Sequence, residues 1–307
     1  MQEPHKFAIF YNRTIQPELQ RLDKHRKRVL RKIFWSALVM VGVLSLLAYL
    51  DIFVLGLLMT IPVFLYVAGL FNDFRKFVQE FKPNVVRLIL DFMDDGLLFG
   101  ELKYEAKKAI PKVQFLESKI FGVVPEVYEG EDFIEGRIGD IEFDLCELNV
   151  QEISRVRERL DPVFRGIFIR AIFKHPPKGI ILVLPRTSLP QLSNSLKAFV
   201  ALGNQKMDGY ISNLEFTKAY TVYGSKNTKL SALLPEELME YILKYRKAKG
   251  EIFMSCVGRT IYVAIKNEKD ILEPSWFRSN VSFDLVKEFY EDISAALALI
   301  QAIDKSH

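Results

Sequence analysis

Cysteine is scarce in this 307-residue chain: only Cys146 and Cys256 are present, too few and too far apart for a disulfide framework. Both read as reduced core residues, which free cysteines usually are. Histidine is scarce too. His5, His25, His175 and His307 have no Cys, His or carboxylate partner at metal-ligand spacing, so neither a metal nor a cofactor is predicted. No glycine-rich phosphate loop occurs, because the stretch Gly136 to Gly139 lacks both the spacing and a Lys-Ser/Thr partner. No G-x-S-x-G elbow occurs, and Ser118, Ser188 and Ser255 have no nearby histidine pattern. An excess of one charge is also missing. The 42 basic residues against 38 acidic ones leave a net charge of +4, which argues against a nucleic-acid partner. These absences leave no residue set that specifies a reaction.

What is present is apolar. Half the residues are hydrophobic and 24 are phenylalanine, enough for a sizeable core and against a disordered chain. Two uncharged runs stand out: Ile33 to Leu50, then Ile52 to Phe71, separated by Asp51. A bilayer core of roughly 30 Å needs about 20 helical residues, so each run can just cross. Trp35, Tyr49 and Tyr66 lie near run ends, where amphipathic aromatics prefer the headgroup zone, and Pro62 predicts a kink. Arg26, Lys27, Arg28, Arg31 and Lys32 form a membrane-facing basic cluster before the first run, and Arg75 and Lys76 follow the second. The turn has no Lys or Arg. The positive-inside rule therefore predicts a two-span hairpin in the cell membrane with both termini cytoplasmic. A cleaved signal peptide lacks its cleavage site here. A buried soluble hairpin and a re-entrant hairpin are the competing readings. Neither run holds an ionisable residue, so an anchor is predicted rather than a channel or pump.

Beyond the runs, Val85, Val86, Leu88, Ile89, Phe92 and Met93 make one helical face, with Pro83 as the helix start and Gly96 as its end. Helix is predicted from Phe74 to about Lys108 and again from Tyr104 or later through Phe115. After Gly122 the period becomes two. Strands are predicted over Asp132–Ile138, Ile141–Cys146, Val163–Phe173, Ile180–Leu184 and Leu214–Tyr223, and over a hairpin of Ile252–Val257 with Thr260–Ile265. Helices are predicted from Pro235 to Gly250 and from about Phe283. The expectation is an α+β protein: a basic arm (1–32), a transmembrane helical hairpin (33–71), a helical stalk (72–120) and a mainly antiparallel sheet with packing helices (121–307).

The pairs Glu131-Asp132 and Asp94-Asp95 offer carboxylates for acid/base or metal chemistry, although adjacent acids more often serve as caps or solvated groups. Glu131, Asp132, Glu273 and Trp276 are weak interaction candidates, Trp276 as an aromatic in a turn.

Several segments together resemble a bacterial membrane-protein family known as domain of unknown function 3137: FKPNVVRLIL (81–90), LKY (102–104), SKIF (118–121), YEGEDFIEG (128–136), CEL (146–148), VFRGIFI (163–169), YTVYGS (220–225) and EPS (273–275). The resemblance covers about residues 75–300 and departs at Lys226, where an acidic residue is usual. It implies a cytoplasmic domain behind one or two N-terminal membrane helices, and it supplies no catalytic residue. The leading expectation is an integral membrane protein whose cytoplasmic part, tethered to the lipid bilayer, binds a protein partner or itself. A membrane-anchored enzyme with a dispersed site, or a hairpin oligomer that shapes or permeates the bilayer, are the alternatives.

Overall fold

Helical periodicity near the N-terminus becomes two long helices. The computed structural model describes residues 4–49, 53–94, 99–154, 158–174, 179–189, 192–248, 250–267, 272 and 279–304. Helix α1 (Pro4–Phe10), a π-helical turn (Tyr11–Ile15) and α2 (Gln16–Tyr49) run on without a break, since Phe10 and Gln16 both keep helical dihedrals. Helix α3 (Phe53–Met93) follows, with Pro62 and Pro83 inside it. Pro83 is thus not a helix start. Phe81, Val85 and Val86 are fully buried around it, and that packing carries the helix past the hydrogen bond the proline forfeits.

The helix ends at Met93, short of the expected Lys108, and Gly96 and Asp95 lie outside the described residues. In place of a helix near Tyr104 comes a strand, β1 (Phe99–Glu105), and then the short α4 (Lys112–Glu117). The expected stalk over 72–120 is therefore helical to Met93 and again only at α4, with β1 between them. Strands β2 (Val127–Ile138) and β3 (Ile141–Ser154) form a hairpin across Gly139-Asp140, with Ile138 opposite Ile141. Strand β4 (Arg159–Ile172) pairs with β3 along its length. Next come β5 (Ile181–Pro185), α5 (Ser193–Ala201) and β6 (Gln205–Lys206).

The expected strand Leu214–Tyr223 is split. Asn213 caps a helical turn by accepting from the Phe216 amide at 2.9 Å, giving α6 (Leu214–Ala219), and only then does β7 (Tyr220–Gly224) begin. After α7 (Leu230–Leu233) comes α8 (Glu236–Ala248), which carries acids in its first turn and bases in its last, matching the helix dipole. The hairpin β8 (Ile252–Val257) and β9 (Thr260–Lys266) and the final helix α9 (Phe283–Asp304) fall where the pattern puts them.

Among the described residues, nine strands form one antiparallel sheet, ordered β1-β2-β3-β4-β9-β8-β5-β7-β6. The result is α+β. Alternate residues of a strand face opposite sides, yet nearly every residue of β5, β8 and β9 is buried, so the middle of the sheet is covered on both faces.

The chain divides into two compact units. One comprises Met93–Ile271 with Phe289–His307, and the other Gln2–Phe92 with Leu272–Glu288. The sheet unit is built around Phe115, whose ring stacks on Phe121 at 5.2 Å and meets Phe168 at 5.3 Å and Tyr128 at 5.7 Å. Each such ring removed from water contributes about 1.5–3 kcal/mol. In the helical unit, Phe7 and Phe10 meet Phe92, while His25 meets Phe77, so the N-terminal helix and α3 run antiparallel side by side.

Candidate functional site

The sheet unit brings one of the sequence's acidic pairs into a cluster. The β2–β3 register places Glu131 opposite Glu147 and then slips before Ile134. Asp132 occupies the slip in a left-handed conformation, with φ of 57°, which is uncommon for a residue with a side chain. The bulge is held from β1 and the turn that follows it: the Tyr104 hydroxyl donates to Asp132 Oδ1 at 2.6 Å, and the Asp132 amide donates to the Ala106 carbonyl at 3.1 Å. One carboxylate oxygen from each of Glu131, Asp132 and Glu147 lies within 4.8 Å of the others. Glu131 is exposed, while Asp132 and Glu147 are buried. Three oxygens so placed have the chemistry of a hard-cation ligand set. Every member of the cluster also engages other protein groups. Beside it, Lys108 lies 4.1 Å from the centre of the Phe133 ring and pairs with Glu105 and Glu135. Glu147 could not be found from the sequence, since only strand register brings it to the Glu131-Asp132 pair.

The serines are absorbed by the fold. Ser255 donates to the Ser118 carbonyl at 2.5 Å, Ser118 to the Phe115 carbonyl at 2.6 Å, and Ser188 to Glu251 at 2.7 Å. The thiols of Cys146 and Cys256 are both buried and unbridged. Glu273 and Trp276 lie outside the described residues, as do His175 and His307.

An apolar groove of about 340 Å³ opens on the same unit between the segment 116–124 and α5. Gly122 lets the two segments close, because its amide donates to Ser195 Oγ and a Cβ there would fall 2.5 Å from the Ser195 backbone. Phe121 and Phe199 form its floor, and Val124 and Leu202 at its rim are 77% and 73% exposed.

The helical unit carries the other surface feature. Among the described residues one helix, His5–Leu47, holds an 18-residue stretch long and apolar enough to cross a membrane, with mean hydropathy 1.8 and only 6% of the stretch buried. Phe34, Trp35, Leu38 and Val39 on α2 are each more than half exposed, and so are Ile61, Phe64 and Leu65 on α3. Of the predicted basic cluster, Lys27, Arg28, Arg31 and Lys32 are exposed. Arg26 is a correction. It is 2% exposed and bonds Asp23 Oδ1 at 2.9 Å, because it lies on the face that also buries Leu22 and Val29.

Among the described residues these features define a class: an α+β protein with a nine-stranded antiparallel sheet, an acidic bulge and an apolar groove in its sheet unit, and one candidate membrane span in its helical unit. Residues 162–305 match the family model described as Protein of unknown function (DUF3137). No curated protein matches the chain. One solved structure, the crystal structure of the mycobacterial trehalose monomycolate transport factor A, TtfA, aligns with 66% of this chain and 88% of its own length. The identity is 10% and the TM-score 0.30, too low to establish a shared fold.

Proposed function

We propose that the chain is a two-span membrane protein, anchored through Ile33–Leu50 and Ile52–Phe71 with both flanks cytoplasmic, and that its sheet unit is a tethered module that binds a protein partner or a second copy of the chain. The observation that carries this reading is the band of exposed apolar side chains on α2 and α3. A surface of that extent facing water is what soluble proteins avoid, and hydrocarbon removes the cost. The charge pattern supports the orientation: exposed bases stand before the first run and after the second, and none stands in the turn. The apolar groove between residues 116–124 and α5 supports the interaction role, as a recess that takes an apolar anchor from a partner. Membrane fractionation with an alkaline wash, paired with crosslinking in cells, tests both parts. The full chain is expected to stay in the washed membrane and to crosslink at Leu202. Release by the wash contradicts the anchor, and an absence of any crosslinked species at Leu202 contradicts the module.

A further inference from the structure

The cations at the base of the apolar band are not all occupied by the fold. Arg21 makes a two-pronged bond to Glu18, and Arg26 and Lys27 both hold Asp23. Among the described residues, Lys24, Arg28 and Lys76 make no ion pair. All three line one groove of about 750 Å³ between α2 and α3, within the size range of ligand clefts, with Leu22 and Phe77 as its apolar wall. The groove also holds Arg21, His25, Asp73 and Glu80. Four basic side chains, Arg21, Lys24, Arg28 and Lys76, against two acidic ones leave it net positive.

Depth gives the groove its meaning. Arg28 lies five residues before Ile33 and Lys76 five residues after Phe71. At 1.5 Å per residue both sit about 7–8 Å beyond the ends of the apolar runs. The headgroup layer extends roughly 5–8 Å on each side of the hydrocarbon. Two unengaged cations on neighbouring antiparallel helices therefore reach the same level, and it is the level of lipid phosphates.

We propose that this groove seats the phosphate headgroup of an anionic phospholipid, gripped by Arg28 and Lys76 with Lys24 behind them. The inference rests on the two-span reading and goes beyond it: general surface charge attracts anionic lipid without selecting a place, whereas a groove with converging cations holds one molecule.

The test uses the purified full chain reconstituted into phosphatidylcholine vesicles with and without phosphatidylglycerol. Lipid retained after extraction into mild detergent is identified by native mass spectrometry. The wild type is expected to keep one phosphatidylglycerol in preference to phosphatidylcholine. The double variant Arg28→Gln/Lys76→Gln is expected to lose that preference by on the order of tenfold or more. Arg31→Gln/Lys32→Gln removes the same charge from the same collar outside the groove and is expected to keep it. Equal loss in both double variants means diffuse attraction and overturns the site. Displacement of the lipid by inorganic phosphate means that the groove takes a soluble anion, and overturns the lipid assignment. Flotation with the vesicles is read separately: a wild type that does not float contradicts the two-span reading, whereas one that floats without a lipid preference contradicts the site alone.

Discussion

Arg26 and Arg21 sit five positions apart in α2 and carry the same charge, yet burial gives them different worth. Arg26 is buried with its partner, whereas the Arg21 side chain is 70% exposed. Removing one member of a buried pair leaves a charge that water cannot reach, at about 3–5 kcal/mol; an exposed pair contributes under about 1 kcal/mol. Arg26→Ala is therefore expected to lower the unfolding midpoint of the full chain in detergent far more than Arg21→Ala, and equal effects would contradict the buried pair. Burial pushes the Asp23 carboxyl up, but hydrogen bonds from Lys27 and Arg26 outweigh it and hold the group below its usual range. A depressed carboxylate stabilises the fold above its unfolded pKa, so this contribution is present at neutral pH and is lost as the pH falls below about 3.9. Burial is the main influence on the cysteines: it pushes both thiols up to about 12, and at Cys146 it outweighs the hydrogen bond from the Ile110 amide. Since the thiolate is the nucleophile, Cys146 and Cys256 are expected to resist a maleimide in the native chain and to label at once in denaturant. Rapid native labelling of either would contradict its burial.

At the scale of elements, β4 depends on Gly166. Its φ is 142°, and a Cβ there would fall 2.1 Å from the Ile265 carbonyl of the neighbouring β9. Gly166→Ala is expected to destabilise the sheet unit by at least about 2 kcal/mol, read as a lower thermal midpoint. Gly209→Ala, with open space around the new methyl, is expected to stay within about 0.5 kcal/mol. The elements legible in the sequence are those whose signal is local. The hairpins across Gly139-Asp140 and Gly258-Arg259 announce themselves by alternation around a turn, and both glycines adopt positive φ. Helix α9 announces itself by its apolar stripe. Strand β1 is not legible, because it exists through pairing with β2, with Tyr104 opposite Ile134, across a separation no local pattern reports. Helix α6 is hidden by Thr and Tyr residues that favour strands, and only the Asn213 cap hints at it. The acidic site was half visible for the same reason: Glu131 and Asp132 are neighbours in sequence, while Glu147 joins them only through register.

For the molecule as a whole, two apolar runs and the charges flanking them are legible before any fold is known, and the proposed topology rests on them. If the runs span the bilayer with both flanks cytoplasmic, the partner search belongs in the cytoplasm, and the basic groove between α2 and α3 faces the inner leaflet. The central claim is thus one of topology. The direct measurement fuses a reporter active only in the cytoplasm after His307, and in parallel one active only outside the cell. The account predicts a cytoplasmic signal at His307 in a chain that pellets with membranes only while residues 33–71 are present. A signal from the outside reporter would contradict it.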